Sequence, residues 1–135
     1  MDAKAKRPLS PHLQVYRPQL TSFMSIMHRI TGIALSVGTL LLSCWLISLS
    51  MGQESYAKFT ELFIDCWLGK LALVGWSWAL SYHFLNGIRH LIWDTDHALD
   101  MKSVYRTGYI VLISSFILTA LIWHAPLKAA LMGGS

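Results

Sequence analysis

Two histidines, His83 and His90, lie in a segment of the chain that is otherwise strongly hydrophobic. In a helix, Gly87 would share one face with both imidazoles and would leave a notch between them that fits a large flat group. A histidine that faces hydrocarbon loses its hydrogen bonds with water, so His83 is expected to face a protein interior. Its partner there would be a metal, a proton or a polar group, which makes His83 the first candidate for a functional residue.

A second set of polar residues precedes the first apolar run. Ser25, His28 and Arg29 have the i, i+3, i+4 spacing that places side chains on one helical face. His90 and Asp94 share a face by the i, i+4 spacing. So many cationic or potentially cationic side chains at one depth would suit a cofactor that carries anionic groups.

Each of these residues also has an ordinary structural interpretation. Arg29 and Arg89 would snorkel to lipid phosphates if they lie at a membrane boundary. His83 would donate an interhelical hydrogen bond, which is a common role of polar side chains between packed spans. Ser25 would stabilise a helix end, and Asp94 would be hydrated in a loop. Spacing alone leaves both interpretations open.

The composition of the chain indicates a membrane protein. Of its 135 residues, 54% are hydrophobic and only 13% are charged, whereas soluble domains carry about 25% charged residues. A spanning helix needs about 20 residues, and three apolar stretches approach or meet that length, at 30–50, 67–90 and 105–125. We predict an all-α membrane protein with three transmembrane helices in a single domain over 21–128. An extended cytoplasmic arm over 1–20 precedes this domain, and a short tail over 129–135 follows it.

The distribution of charge predicts the orientation of the chain in the membrane. Lysine and arginine are concentrated before the first span and between the second and the third, whereas the first connection carries Glu54, Glu61 and Asp65. By the positive-inside rule, the N-terminus is cytoplasmic and the C-terminus lies outside. The net charge of +4 therefore reflects topology and attraction to membrane lipid, and we predict no nucleic-acid site. Aromatic residues in the outer connection predict a short interfacial helix there.

Several kinds of chemistry have no support in the sequence. Cys44 and Cys66 lack the close spacing, to each other or to histidine, of zinc and iron-sulfur ligands, and both are interpreted as packing residues. The chain has neither a nucleotide-binding glycine fingerprint nor a helix-borne H-E-x-x-H string. Flavin chemistry, iron-sulfur chemistry and metallohydrolysis are therefore not expected of this chain itself.

Three segments resemble the signatures of a known family. They are Arg7–His12, Ser25–Gly32 and His83–Asp94, which contain the strings H-R-x-T-G and H-x-x-x-G-I-R-H. In order and spacing, these segments resemble the cytochrome b subunit of succinate dehydrogenase, the larger membrane anchor of respiratory complex II. The resemblance implies a three-span anchor that pairs with a second small membrane anchor subunit. It also implies an iron-sulfur subunit and a flavoprotein subunit docked on the cytoplasmic side.

The resemblance also implies roles for individual residues. His83 matches an axial ligand of the haem b iron, whose other ligand comes from the partner anchor. His28, Arg29 and His90 match positions around the haem propionates. Ser25 and Arg29 match positions that border the ubiquinone site. Asp94 matches an acidic position near this polar cluster, and its role stays open.

The implied function is electron transfer from the iron-sulfur subunit to ubiquinone, while succinate is oxidised by partner subunits. One alternative is the anchor of a fumarate reductase, which runs the reaction in reverse. Another is a cofactor-free membrane scaffold or transporter subunit, in which His83 and Arg29 are packing or proton-relay groups. The start of the chain, without an Arg- and Ser-rich leader, favours the bacterial inner membrane, with the mitochondrial inner membrane as the alternative.

Overall fold

The computed structural model describes residues 19–132 of the chain, with side chains as far as residue 129. All regular secondary structure in these residues is helical, which confirms the predicted all-α class. The four α-helices are α1 (Leu20–Ser50), α2 (Gln53–Phe59), α3 (Trp67–Asp94) and α4 (Met101–Met132). A single π-helical turn, Thr60–Ile64, continues α2 toward α3. Helices α1, α3 and α4 pack against one another, and α2 lies beside the C-terminal part of α1.

The helices extend beyond the apolar stretches that predicted them. Helix α1 begins at Leu20, well before the predicted span at 30–50, so Ser25, His28 and Arg29 are helical. Helix α4 extends past both ends of the span predicted at 105–125 and has 32 residues, or about 48 Å at 1.5 Å per residue. The predicted tail is therefore helical as far as Met132. The predicted arm lies outside the described residues, except for its last two.

Two of the described helices are long and apolar enough to cross a membrane, namely α1 and residues Met101–Ala129 of α4. Helix α3 has 28 residues, or about 42 Å, and is long enough to span. Its mean hydropathy is lowered by polar side chains, of which Ser81, Asn86 and Arg89 are buried. The three-span topology and the orientation of the termini therefore remain predictions.

The ends of the helices have recognisable local causes. Gly52 follows α1 with a φ of 106°, a left-handed conformation that favours glycine. At the start of α3, the backbone N–H of Gly69 donates to the Cys66 sulfur at 3.2 Å. Cys66 therefore caps a helix and is not the packing residue that we predicted. At the start of α4, the Ser103 N–H donates to Asp100 at 3.0 Å, and hydrogen bonds from Ser103, chiefly its side chain, lower the pKa of this carboxyl.

The core lies where the three long helices meet. Met24 of α1, Tyr82 of α3 and Val111 of α4 form a buried apolar cluster. The Tyr82 hydroxyl donates to the backbone carbonyl of Met24 at 2.9 Å. This bond satisfies a polar group inside an apolar core, so it fixes the position of α3 relative to α1.

Arg89 joins α3 to α4. Its side chain is buried, with only 4% of its surface exposed. Nε donates to the Thr107 hydroxyl at 3.0 Å, and Nη2 donates to the Val104 carbonyl at 2.8 Å. The guanidinium also lies 3.9 Å from the centre of the Trp93 ring. The interpretation of Arg89 as a residue that snorkels to lipid is therefore wrong, because its donors are directed into the protein.

We expect Arg89→Gln to destabilise the α3–α4 contact. Glutamine is too short to reach both Thr107 and Val104, and losing hydrogen bonds from a charged donor costs about 1.5–3 kcal/mol. The matched control is Arg106→Gln, which removes the same charge from an exposed position on α4. The measurement is the thermal unfolding midpoint of each purified variant in detergent. Equal midpoints for the two variants would contradict this role of Arg89.

Close packing of α1 on α3 depends on a glycine. The Trp76 indole of α3 lies directly on Gly38, so a methyl group there would overlap the ring. Gly75, which directly precedes Trp76 in α3, has no atom within 4 Å of a Cβ built on it.

We therefore expect Gly38→Ala to lower the unfolding midpoint, because overpacking a core typically costs about 1–3 kcal/mol. Gly75→Ala should leave the midpoint unchanged or raise it, since alanine is about 0.5–1 kcal/mol better than glycine within a helix. Thermal unfolding of the two variants under identical conditions tests the difference. If the Gly38→Ala protein is as stable as the Gly75→Ala protein, Trp76 does not pack tightly against Gly38.

Candidate functional site

Three imidazole rings form a stack between α1 and α3. The ring of His28 lies 3.9 Å from that of His83, centre to centre, with the planes only 11° apart. It lies 5.3 Å from the ring of His90, at 20°. The structure thus brings together the three histidines that the sequence singled out. The space in front of Gly87 is open, with nothing within 4 Å of a Cβ built there.

The contacts of His83 identify the ring nitrogen that carries a proton. Its Nδ1 lies 3.1 Å from the backbone carbonyl of His28 and 3.2 Å from the Thr31 hydroxyl. A carbonyl only accepts hydrogen bonds, so Nδ1 of the neutral ring must be the donor. Nε2 then keeps its lone pair. An imidazole in this state is a ligand for a metal ion.

The surroundings of His83 fit the haem iron that the family resemblance implies. Nε2 makes no hydrogen bond with residues 19–132, and the ring is half-buried. Metal-bound histidines usually donate their other N–H to a carbonyl or carboxylate, as Nδ1 does here. A Cβ built on Gly32 would lie 3.1 Å from the Cε1 of His83, so α1 closely backs the ring.

The part of the chain that the structure describes holds no cluster of three or more His, Cys, Asp or Glu side chains suited to a metal ion. A metal site made only of side chains is therefore not available there. A haem iron needs just one or two protein ligands, because the macrocycle supplies the others. A single imidazole that presents Nε2 meets that requirement for one side of the iron.

His90 and Asp94 lie one turn apart on α3, as their spacing predicted, but they do not hydrogen-bond to each other. The Nδ1 of His90 lies 2.7 Å from the carbonyl of Asn86, one turn earlier in α3. Asp94 is the last residue of α3 and is exposed, with no hydrogen bond or ion pair to any described residue. The structure therefore places His90 in the imidazole stack and leaves Asp94 at its border.

Ser25 and Arg29 lie on adjacent positions of one α1 face, next to His28. Ser25 is half-buried and Arg29 is exposed. Within residues 19–132, neither side chain makes a hydrogen bond, and Arg29 makes no ion pair. The ion pair found among these residues joins Lys58 to Glu54 on α2. A hydroxyl donor and a cation are thus both available to a ligand at this end of the helix bundle.

Sequence reasoning missed the two α1 residues that hold the His83 ring. Thr31 contacts the ring nitrogen and Gly32 lies against the ring carbon. Both belong to the H-R-x-T-G string, but spacing gave them no role because neither residue type is a usual ligand. Their positions three and four residues after His28 were the available signal, since that spacing keeps them on one helical face.

An apolar cavity among the described residues lies away from this site. It has a volume of about 790 Å³ and is enclosed by the C-terminal half of α1, by α2 with its π-helical turn, and by the N-terminal part of α3. Its lining includes Trp45, Tyr56 and Trp76 but none of the predicted site residues. The candidate site is therefore the imidazole stack with Ser25 and Arg29, at the opposite end of α1 and α3.

Comparisons with known proteins agree with the resemblance. The family model described as succinate dehydrogenase/fumarate reductase transmembrane subunit matches residues 3–122. The succinate dehydrogenase cytochrome b556 subunit of Rickettsia felis is 44% identical over 118 residues, which cover 87% of this chain and 91% of the relative. The protein of the same description from Paracoccus denitrificans is 39% identical over 118 residues, covering 87% and 90%.

A mitochondrial relative extends the similarity beyond bacteria. The succinate dehydrogenase cytochrome B subunit of Schizosaccharomyces pombe is 41% identical over 120 residues, which cover 84% of this chain and 66% of that protein. With a family match over most of its length and relatives well above 30% identity, this chain belongs to the succinate dehydrogenase/fumarate reductase transmembrane subunit family.

Proposed function

We propose that this subunit binds haem b and ubiquinone, and that it passes electrons from an iron-sulfur partner to ubiquinone in succinate dehydrogenase. The observation that carries the proposal is the orientation of His83, whose Nδ1 lies 3.1 Å from a backbone carbonyl of α1. This orientation leaves Nε2 free to bind iron. The proposal is also supported by relatives described as cytochrome b556 subunits.

In this proposal, His83 would bind the haem iron through Nε2. The Nδ1 of His90 also lies near a carbonyl, but that carbonyl belongs to its own helix, whereas His83 is held by α1. The family resemblance implies that a second ligand of the iron would come from the second small membrane anchor subunit. Haem b, when bound, supplies one-electron transfer within the membrane. His83 would hold the iron in a defined position, because its ring is held by hydrogen bonds to α1 and packs against Gly32.

His28, Arg29 and His90 form the environment of the haem propionates. Two of these residues are stacked imidazoles, and Arg29 is an exposed cation on the same α1 face. Carboxylates form their strongest hydrogen bonds with charged donors such as guanidinium. Arg29 would therefore bind the anionic edge of haem b at this end of the bundle.

Ser25 and Arg29 bind ubiquinone at the cytoplasmic end of the bundle. The Ser25 hydroxyl donates to a quinone carbonyl, and the Arg29 guanidinium stabilises the oxygen as it gains negative charge. Ubiquinone takes up two electrons and two protons to become ubiquinol. Asp94, an exposed carboxylate at the same end of α3, borders this cluster as a secondary member of the site.

The sequence of this chain indicates which reactions belong to its partner subunits. Its sequence has no flavin fingerprint and no cysteine set for iron-sulfur clusters. Succinate oxidation therefore belongs to a flavoprotein subunit, and an iron-sulfur subunit delivers electrons to the cytoplasmic side of the membrane. The positive-inside rule predicts that the basic N-terminal segment lies on that side.

Fumarate reduction is the second candidate function. The description of the matching family names both succinate dehydrogenase and fumarate reductase. The same haem and quinone residues serve either direction, because the direction depends on the potentials of the quinone and of the partner cofactors. Turnover of the purified complex with ubiquinone and with a low-potential quinone distinguishes the two.

We expect His83→Ala to abolish or alter the b-type haem spectrum of the complex. Succinate oxidation measured with a soluble dye should persist, because the dicarboxylate site lies in another subunit. The matched control is His97→Ala, which removes an exposed imidazole from the connection between α3 and α4. Reduced-minus-oxidised spectra measure the haem. An unchanged spectrum and midpoint potential in His83→Ala would rule out His83 as the ligand.

We expect Ser25→Ala and Arg29→Leu each to lower succinate-to-ubiquinone turnover sharply in the assembled complex. Removing one donor that stabilises a transition state costs about 100- to 1,000-fold in other enzymes. Matched controls are Ser43→Ala, an exposed serine farther along α1, and Arg106→Leu on α4. Turnover with an acceptor that draws electrons upstream should be normal in all four variants. Wild-type ubiquinone kinetics in both site variants would disprove the assignment.

A further inference from the structure

The side chain of Thr31 is buried at the point where α1 meets His83. Only 2% of its surface is exposed. Its hydroxyl lies 2.8 Å from the carbonyl of Met27, 3.0 Å from that of His28 and 3.2 Å from the Nδ1 of His83. This one oxygen therefore contacts both the backbone of its own helix and the imidazole of the neighbouring helix.

The directions of these hydrogen bonds follow from the partners. The two α1 carbonyls only accept, so the hydroxyl proton of Thr31 is directed at them. The lone pairs of Oγ1 remain for an acceptor role. The Nδ1–H of His83 is then shared between two acceptors, the Thr31 hydroxyl and the His28 carbonyl. Two acceptors define the rotation of the ring more closely than one, because both bonds must be satisfied together.

We propose that Thr31 is a positioning residue for His83: its hydroxyl fixes the imidazole that binds the haem iron and increases the electron donation of that imidazole. The inference rests on the proposed role of His83 as an axial ligand. A hydrogen bond from the outer nitrogen of a ligating histidine orients the ring and raises its basicity. A more basic ligand favours the oxidised iron, so it lowers the midpoint potential of the haem.

The decisive experiment compares Thr31→Val with Thr31→Ser in the complete, haem-loaded complex. Valine has a similar shape but no oxygen, whereas serine keeps the hydroxyl that accepts from Nδ1. We expect Thr31→Val to raise the haem midpoint potential and to change the electron paramagnetic resonance signal of the oxidised haem. Thr31→Ser should keep the wild-type potential and signal. The readouts are a redox titration and a spectrum of the bound haem.

Several outcomes would overturn the proposal. One is a Thr31→Val complex with the wild-type potential and signal. Another is an equal shift in Thr31→Val and Thr31→Ser, which would show that the change in potential does not depend on the hydroxyl. Thr31→Ala is the second hydroxyl-free variant if the valine variant does not assemble. If neither variant assembles while Thr31→Ser does, Thr31 has a structural role and the proposal is wrong.

His83→Ala in the same series separates this inference from the proposed function. If the b-type spectrum persists unchanged in His83→Ala, His83 is not the ligand and the role of Thr31 fails with it. If the spectrum is lost in His83→Ala but Thr31→Val behaves as wild type, the ligand assignment stands and only the Thr31 inference fails.

Discussion

The hydrogen bond between His83 and the α1 backbone is the interaction on which the proposed site depends. An imidazole in the apolar interior of a membrane chain needs a partner, because no water is available to it there. The His28 carbonyl and the Thr31 hydroxyl satisfy Nδ1, which decides the tautomer and leaves Nε2 available. The same contact seats the His28 ring on the His83 ring, 3.9 Å away. The contact that orients the His83 ring therefore also packs α3 against α1.

Helix α3 carries most of the polar groups that must be satisfied inside the protein. One of its faces meets α1, where Tyr82 donates to the carbonyl of Met24. Another face meets α4, where Arg89 donates to Thr107 and Val104. Because these bonds hold α3 on two sides, its rotation is fixed and His83 must face α1. The polar side chains of α3 lower its mean hydropathy, but they also suit it to a position between the apolar helices α1 and α4.

Helical spacing predicted which of the candidate side chains share a face, because that spacing depends only on chain geometry. It placed His83 and His90 on one face of α3 and His28 and Arg29 on one face of α1, and the imidazoles do meet. The interpretation of Arg89 was wrong, because an arginine side chain is long enough to reach either lipid or a neighbouring helix from the same position. Helical spacing gave no role to Thr31, because the contact with His83 depends on how α1 and α3 are rotated against each other. The start of α1 at Leu20 was missed for a related reason: hydropathy marks apolar runs, whereas a helix continues through polar residues.

The central claim is that His83 binds the haem iron through Nε2 while its Nδ1 donates to the backbone of α1. A cryo-electron microscopy map of the complete complex with its cofactors tests this claim most directly, provided that its resolution distinguishes the two edges of the imidazole. The account predicts that Nε2 of His83 coordinates the iron and that Nδ1 stays within hydrogen-bonding distance of the His28 carbonyl and the Thr31 hydroxyl. A haem whose iron is coordinated by other residues, or a His83 ring turned away from it, would contradict the account.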